Sequence, residues 1–195
     1  LDIFVAHGAN EDILTNAHPH IGTNKLPDII ASMRETILNA DGEIHFNTRI
    51  TDFIIEKNVF KGVKTVDEKE FLANNIILAT GHSARDIFKL LHEKNILIEA
   101  KPFAMGVRVE HPQRLIYSIQ YHCPIEEVEN TRKHLPPAAY SLVTQVHQKG
   151  VYSFCMCPGG IIAPCATDVE QVVVNGWSPS KRNNPFANSG LVVSI

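Results

Sequence analysis

The stretch Asn74-Asn-Ile-Ile-Leu-Ala-Thr-Gly-His-Ser-Ala-Arg-Asp86 decides the fold class, because an apolar run leads directly into small residues and a turn. The run 76–78 is typical of a strand buried on both faces, and residues 79–81, where that strand ends, are small. Ser83 is placed to cap a following helix, and Asp86 adds negative charge to its first turn. The pattern predicts strand, turn and helix, with room for a bulky ligand at the carboxyl end of a sheet.

Taken alone, Ala-Thr-Gly is also the pattern of any buried strand that ends in a glycine turn. The preceding sequence adds a predicted helix from Leu26 to Asn39, with Gly42 just beyond its end. Its apolar positions recur at helical spacing: Leu26, Ile29, Ile30, Met33 and Ile37. Four strand-like segments follow at 42–46, 49–55, 59–65 and 70–73. We therefore expect a helix, a sheet strand and a small antiparallel meander before the Ala-Thr-Gly return strand.

This order resembles the two-dinucleotide-binding-domain flavoproteins. Longer sequence blocks resemble a narrower group within these proteins, the uncharacterised FAD-dependent dehydrogenases. This group is a bacterial branch of the FAD/NAD(P)-binding flavoproteins. The blocks are His18-Pro-His-Ile-Gly-Thr23, Ala79-Thr-Gly-His-Ser-Ala-Arg-Asp86, Lys101-Pro-Phe-Ala-Met-Gly-Val-Arg-Val-Glu-His-Pro-Gln113, Tyr152-Ser-Phe-Cys-Met-Cys-Pro-Gly-Gly160, Val173-Val-Asn-Gly-Trp-Ser178 and Ala187-Asn-Ser189.

The resemblance implies an α/β fold with some α+β character: a partial FAD/NAD(P)-binding Rossmann-like domain with a three-stranded meander, plus a strand-rich inserted substrate domain. It implies FAD as the cofactor and NAD(P)H as an electron donor. Thr80 and Gly81 match the family motif beside the dinucleotide, and Ile50 lies on the strand near the adenine. These three residues are the predicted cofactor contacts, through their backbones.

The chain lacks two glycine-rich segments of that family, the initial Gly-x-Gly-x-x-Gly turn and a final segment resembling Gly-Glu-Gly-Ala-Gly. We therefore interpret it as an internal fragment, and we expect the isolated chain to hold no FAD and to be inactive. The predicted domains are 1–95, part of the FAD-binding domain, and 96–195, a strand-rich substrate domain that is incomplete at its C-terminus. From Glu99 onward, short strands separated by turn signals replace helical periodicity, which places the boundary near 92–100.

Two expectations concern the strands of this second half. Segments 140–146 and 151–156 are expected to form a hairpin, and segments 161–163 and 171–174 are expected to extend the same sheet.

Composition limits the classes of partner. A net charge of −3 without a Lys/Arg stripe argues against a nucleic-acid surface. No apolar run approaches the roughly 20 residues that span a bilayer, so we expect a cytoplasmic protein without membrane association. The four cysteines are too sparse for an extracellular disulfide scaffold and are expected to be reduced. The sequence identifies neither the small-molecule substrate nor the oligomeric state.

The segment Cys155-Met-Cys-Pro-Gly-Gly160 has three interpretations. Cys155 and Cys157 lie two apart on a predicted strand and so share a face. They are small core residues before a turn, or one thiol contributes to substrate binding or redox chemistry. The third interpretation is a metal or iron–sulfur site formed by these two cysteines and Cys165. The spacing of the three cysteines differs from that of common metal sites, and no metal is predicted.

Three further candidates each have two interpretations. His82 follows Gly81 and is either a proton donor or a turn residue facing solvent. Arg108 alternates with Val107 and Val109, so it either binds an anionic substrate or pairs with Glu110 on its own face. The loop containing His18 and His20 either approaches flavin or substrate or only packs against the cofactor domain. The catalytic candidates are therefore His82, Cys155, Cys157 and Arg108.

The predicted function is that of a fragment of an FAD-dependent oxidoreductase. Two alternatives stay open: a non-catalytic binding module that keeps the fold, and a flavin-dependent enzyme that modifies RNA. The absence of a basic stripe in this chain argues against the RNA alternative.

Overall fold

The computed structural model describes all residues, Leu1–Ile195. The chain forms two compact units. The split unit contains residues 1–41 and 102–195, and the middle unit contains residues 42–101. The contacts thus place 1–41 with the second half of the chain, whereas the sequence groups 1–95 together. The assignment of 1–95 to an FAD-binding domain and of 96–195 to a substrate domain stays a prediction.

The helices are α1 (Asp2–Ala6), α2 (Leu26–Asn39), α3 (Arg85–Glu93), α4 (Gln113–Tyr121) and α5 (Val128–Thr131), with 3-10 turns at Glu11–Leu14 and Ile125–Glu127. None of these helices has the length and apolar character needed to cross a membrane. The strands are β1 (Ile50–Glu56), β2 (Val59–Thr65), β3 (Glu70–Leu72), β4 (Ala104–Pro112), β5 (Val143–Val146), β6 (Lys149–Cys157), β7 (Ile161–Pro164), β8 (Val174–Trp177) and β9 (Phe186–Ser194).

The fold is mixed α/β with three antiparallel sheets, in the orders β1-β2-β3, β4-β9-β6-β5 and β7-β8. The first has the strands of the expected meander, but its place in a Rossmann-like domain stays a prediction. The sequence also places 161–163 and 171–174 at the edge of the larger sheet, which is wrong. Strands β7 and β8 pair with each other from Ile161↔Trp177 to Pro164↔Val174 and form a separate hairpin.

The core of the split unit lies between the four-stranded sheet and the helices α4 and α5. Strand β4 pairs with β9 over its whole length, from Ala104↔Ser194 to Pro112↔Phe186. The β5–β6 hairpin turns at His147 and Gln148, whose positive φ values of 47° and 64° suit a two-residue turn between twisted strands. The buried core cluster consists of Ile116, Tyr117, Val128, Ala138 and Ala187.

Helix α4 was not predicted, although the sequence carries its signal. Ile116 and Tyr117 are buried, and Tyr121 packs against the same core from one turn further on. This is the i, i+4 spacing of an amphipathic helix, and it begins directly after Pro112, the residue at the N-cap. The many turn signals nearby favoured an all-strand interpretation of this region.

In the middle unit, two ion pairs connect the α3 region to the start of the meander, and each of the two segments has a buried apolar residue. Phe53 and Ile87 are buried. Arg49 contacts Asp86 at 2.9 Å, and Lys94 contacts Asp52 at 2.7 Å. Hydrogen bonds from these cations lower the pKa of each carboxyl. Because all four side chains are substantially exposed, each ion pair contributes little to stability.

The apolar segment 76–78 does not form the predicted strand. It belongs to none of the three sheets, and the side chain of Ile77 is 91% exposed. The segment 43–46 is likewise outside any sheet. A strand needs a hydrogen-bonded neighbour, and this chain supplies none beside either segment. Ser83 does not cap α3 either, because the N-cap residue is Ala84 and it makes no side-chain capping bond.

Helix α2 has the predicted bounds, but its predicted apolar face is only partly covered. Ile29 is 2% exposed, whereas Ile30 and Ile37 are about half exposed. The left-handed residue after the helix is Asp41, with φ of 59°, and not the expected Gly42.

Candidate functional site

A β-bulge near the end of β6 places the two thiols side by side. Phe154 pairs with Gly190 and Cys157 pairs with Asn188, so Cys155 and Met156 together oppose one residue of β9. Cys155 takes the left-handed conformation with φ of 50°. The Cys155 and Cys157 sulfurs lie 3.9 Å apart. The regular strand assumed from the sequence would have left them too far apart for an easy bridge.

The two thiols differ in environment. Cys155 is exposed, whereas Cys157 is 7% exposed. Burial, together with the neighbouring Cys155, raises the pKa of the Cys157 thiol to about 11. Cys157 is therefore protonated at neutral pH, and its thiol donates to the Cys155 carbonyl at 3.4 Å. The pair combines an accessible thiol with a shielded one.

Arg108, on β4, holds the bulge in place through two hydrogen bonds. Its Nη1 donates to the Cys155 carbonyl at 3.0 Å and to Asn188 Oδ1 at 2.7 Å. It does so rather than pairing with Glu110, so that interpretation is wrong. Asn188 is fully buried, and its Nδ2 has no hydrogen-bond partner. Arg108 thus connects the two cysteines to β9.

Buried hydrogen bonds hold the turn at 158–160. Gln113 Oε1 accepts from the Gly159 amide at 2.7 Å, and Gln113 Nε2 donates to the Ala138 carbonyl at 2.9 Å. The Ser178 hydroxyl donates to the Pro158 carbonyl at 2.7 Å. Gly159 has φ of +50°, and a Cβ there would lie 1.9 Å from the Arg182 carbonyl oxygen. Only glycine therefore fits this turn.

The loop with the two histidines is bound to the 178–182 segment. The Thr23 amide donates to the Ser178 carbonyl at 3.0 Å, and Asn24 Oδ1 accepts from the Ser180 amide at 2.7 Å. Gly22 has φ of +98°, and a Cβ there would lie 2.3 Å from the Ser180 nitrogen. The sequence left this loop between two interpretations, and the structure places it against the 178–182 segment of its own unit.

These segments enclose a cleft of about 580 Å³, and its lining contains no carboxylate. Histidines, thiols and a cation line it together with apolar residues: His18, His20, Cys155, Cys157, Arg182, Phe4, Ile13, Ile21, Leu26 and Met156. The Nε of Arg182 is buried without a hydrogen-bond partner. Burial lowers the pKa of Arg182, but guanidinium keeps its charge at neutral pH. The cleft therefore suits a ligand with an apolar body and a negative group.

His20 is neutral at this site. Burial, and the nearby charge of Arg182, lower the pKa of His20 below its ordinary value, although its bond to Pro179 opposes the change. Since a carbonyl only accepts, His20 Nε2 donates to the Pro179 carbonyl at 3.1 Å. The remaining ring nitrogen is then an acceptor.

The other predicted residues belong to the middle unit. His82, Thr80 and Gly81 are exposed, and Ile50 begins β1. Gly81 has φ of +75°, and no atom lies within 4 Å of the position that a Cβ would take. The backbone at 80–81 leaves room for a ligand, and the contact of FAD with these residues stays a prediction.

Several site residues were missed from the sequence. Gln113, Ser178 and Arg182 act through contacts to segments distant in sequence, and no local pattern marks them. Asn188 carried a weak signal, a polar residue within the small run Ala187-Asn-Ser-Gly190. The structure contains no group of three His, Cys, Asp or Glu residues that could hold a metal, so Cys165 does not complete a three-thiol site.

Comparison with known proteins adds two findings. Residues 102–195 match the family model described as "FAD-dependent protein, C-terminal domain-like". An uncharacterized protein of Clostridium beijerinckii is 36% identical over 199 residues. That alignment covers 100% of this chain and 36% of the relative. The chain therefore spans about a third of the length of the relative that it matches.

The matched range begins at residue 102, which is also where the second part of the split unit begins. It includes Arg108, both cysteines of the bulge and Arg182, but not the 17–25 loop. Residues 102–195 are therefore similar to the C-terminal domain of FAD-dependent proteins.

Proposed function

We propose that this chain works within a longer FAD-dependent oxidoreductase, in which the middle unit contacts FAD and the cleft of the split unit binds a small-molecule substrate. The observation that carries the proposal is the match of 102–195 to an FAD-dependent domain, because this range supplies both thiols and the Arg182 cation of the cleft. The length of the Clostridium relative supports the proposal that further sequence completes the protein.

On the cofactor side, the backbone at Thr80 and Gly81 would lie against the dinucleotide, and β1 at Ile50 would lie on its adenine side. Left-handed Gly81 offers an open surface, and a side chain there would both strain the backbone and block close approach. Bound FAD would supply two-electron transfer, while the protein orients the substrate.

On the substrate side, Arg182 would bind the negative group of the substrate, since the cleft contains no carboxylate to compete for it. The apolar residues of the cleft would bury the substrate body. Neutral His20 would present an acceptor nitrogen to a substrate hydroxyl or amine. Because Arg182 is half-buried, its attraction for an anion is stronger than that of a surface cation.

The test is the visible spectrum of the full-length protein before and after anaerobic addition of NADH or NADPH. We expect bound flavin that bleaches with one of the two nicotinamides. Flavin that stays oxidised with both would contradict NAD(P)H as the donor. A full-length protein that is well folded but free of flavin would contradict the proposal itself and favour a binding module.

A second test uses the 195-residue chain alone. Because segment 76–81 has no sheet neighbour in this chain, we expect weak FAD binding or none. Equilibrium dialysis measures the occupancy, and one FAD per chain at micromolar concentration would contradict the expectation.

A further inference from the structure

The bulge at Cys155–Cys157 has the arrangement of a redox-active dithiol. The sulfurs are 3.9 Å apart, within side-chain rotation of the roughly 2.05 Å of a disulfide. One thiol is exposed and the other is shielded behind it. Both lie in the cleft, where a second molecule has access to Cys155.

The surrounding residues hold this geometry in place. Arg108 binds the Cys155 carbonyl, and the buried Gln113 and Ser178 bonds fix the turn that follows Cys157. Gly176 leaves space for Cys157, since a Cβ at Gly176 would lie 2.6 Å from the Cys157 sulfur. A fixed pair of thiols loses little conformational freedom when it closes into a disulfide.

We propose that Cys155 and Cys157 reduce a disulfide whose substituents carry negative charge. This reaction goes beyond the flavin reaction: it uses the cleft of the proposed substrate site but needs no flavin. The Cys155 thiolate attacks one sulfur of the substrate disulfide, forms a mixed disulfide and releases the first substrate thiolate. Cys157, after losing its proton to solvent, attacks Cys155 Sγ and releases the second. The pair loses two electrons and two protons, and the substrate disulfide becomes two thiols.

The order of attack follows from accessibility. Cys155 is the exposed sulfur and meets the incoming disulfide, whereas Cys157 is reached only from Cys155. The raised pKa of Cys157 supports a reducing pair, because its reduced form gains no stabilisation as a thiolate.

The charge preference follows from the cleft lining. Arg182 lines the cleft, and the lining contains no carboxylate. The hydrogen bonds of the neighbouring Arg108 go to a carbonyl and an amide oxygen, neither of them charged. A disulfide that carries carboxylates is therefore attracted, and one that carries ammonium groups is repelled.

The experiment treats the reduced chain, in a Cys123→Ser, Cys165→Ser background, with excess oxidised glutathione, followed by acid quenching, alkylation and peptide mass spectrometry. We expect a Cys155–Cys157 disulfide and release of two glutathione molecules per chain. A stable glutathione adduct without ring closure, or two thiols that stay reduced, would overturn the proposal.

Single variants test the order of attack. In Cys157→Ser, the glutathione adduct is expected to accumulate on Cys155, because no second thiol displaces it. In Cys155→Ser, we expect the rate of adduct formation at Cys157 to fall about tenfold or more, since this sulfur is shielded. Equal rates in the two variants would overturn the assigned order. Circular dichroism of each variant confirms that it is folded.

The charge preference has its own test. Oxidised glutathione is expected to react faster than cystamine, a cationic disulfide, and Arg182→Gln is expected to reduce that preference about tenfold at low salt. A preference for cystamine, or one unaffected by Arg182→Gln, would overturn the anionic assignment while leaving the dithiol result to stand separately.

Discussion

Two glycine turns that look alike in sequence have different surroundings in the structure. Gly159 lies in a turn that Gln113 and the 182–184 segment enclose, and a Cβ there would meet backbone atoms. Gly81 also has a positive φ, but nothing lies within 4 Å of its Cβ position. The difference shows that a turn with a positive-φ glycine is enclosed only where other segments of the same chain pack against it.

The largest expected effect comes from comparing alanine substitutions at these glycines. Gly159→Ala combines a positive φ with a backbone clash, so we expect a loss of more than about 3 kcal/mol in the free energy of unfolding. Gly81→Ala adds only the backbone strain, about 1–2 kcal/mol. Urea denaturation measures both values. Equal losses would show that the turn at Gly159 is less enclosed than the structure indicates.

Gln113→Ala is expected to cost about 2–3 kcal/mol, because it leaves the buried Gly159 amide without its acceptor and the Ala138 carbonyl without a donor. The matched control is Gln120→Ala on the same helix, whose side chain is exposed and should be nearly neutral. Urea denaturation that finds the two variants equally stable would contradict the role of Gln113 in closing the turn.

Alkaline pH gives a smaller effect. The pKa of Cys157 is raised from 9.0 to about 11. Between these values the unfolded chain has lost the thiol proton and the folded chain retains it. The unfolded state thus binds fewer protons, and stability falls as pH rises through this window, by at most about 2 kcal/mol up to pH 10.5.

The pH effect is measured as the difference between two variants. Unfolding of Cys157→Ser and Cys165→Ser is followed at pH 8 and pH 10.5. The Cys165→Ser chain should lose more stability over this interval, since it keeps the buried thiol. Parallel pH dependence in the two variants would argue against a buried, protonated Cys157.

The smallest effect is expected at Ile77, whose side chain is 91% exposed. Ile77→Ser should change the stability of this chain by less than about 0.5 kcal/mol. Thermal unfolding followed by circular dichroism tests this. A large loss would mean that segment 76–78 is packed, and would break the contrast with the enclosed turn at Gly159.

Local patterns predicted much of the fold. The bounds of α2, the three strands of the meander and the β5–β6 hairpin follow from periodicity and turn residues. Local patterns could not predict whether 76–78 forms a strand, because a strand depends on a hydrogen-bonded neighbour and not only on its own residues. Helix α4 was missed for the opposite reason, since its apolar spacing was present but turn signals around it were given more weight.

The site was only partly predictable. Cys155, Cys157 and Arg108 were candidates from residue type and spacing, and their relation in space depends on a bulge that no local signal marks. Arg182 and Gln113 reach the site through contacts between segments distant in sequence. The alternative that Arg108 pairs with Glu110 failed because Asn188 and the Cys155 carbonyl accept its hydrogen bonds instead.

The most direct test of the proposed flavoprotein function is the flavin-to-protein ratio of full-length Gly81→Val. The matched control is Gly8→Val, since Gly8 also has a positive φ and open space around it but lies in the other unit. We predict that Gly81→Val purifies with strongly reduced flavin while Gly8→Val keeps its flavin. Unchanged flavin in a folded Gly81→Val protein would contradict the placement of FAD at Thr80 and Gly81.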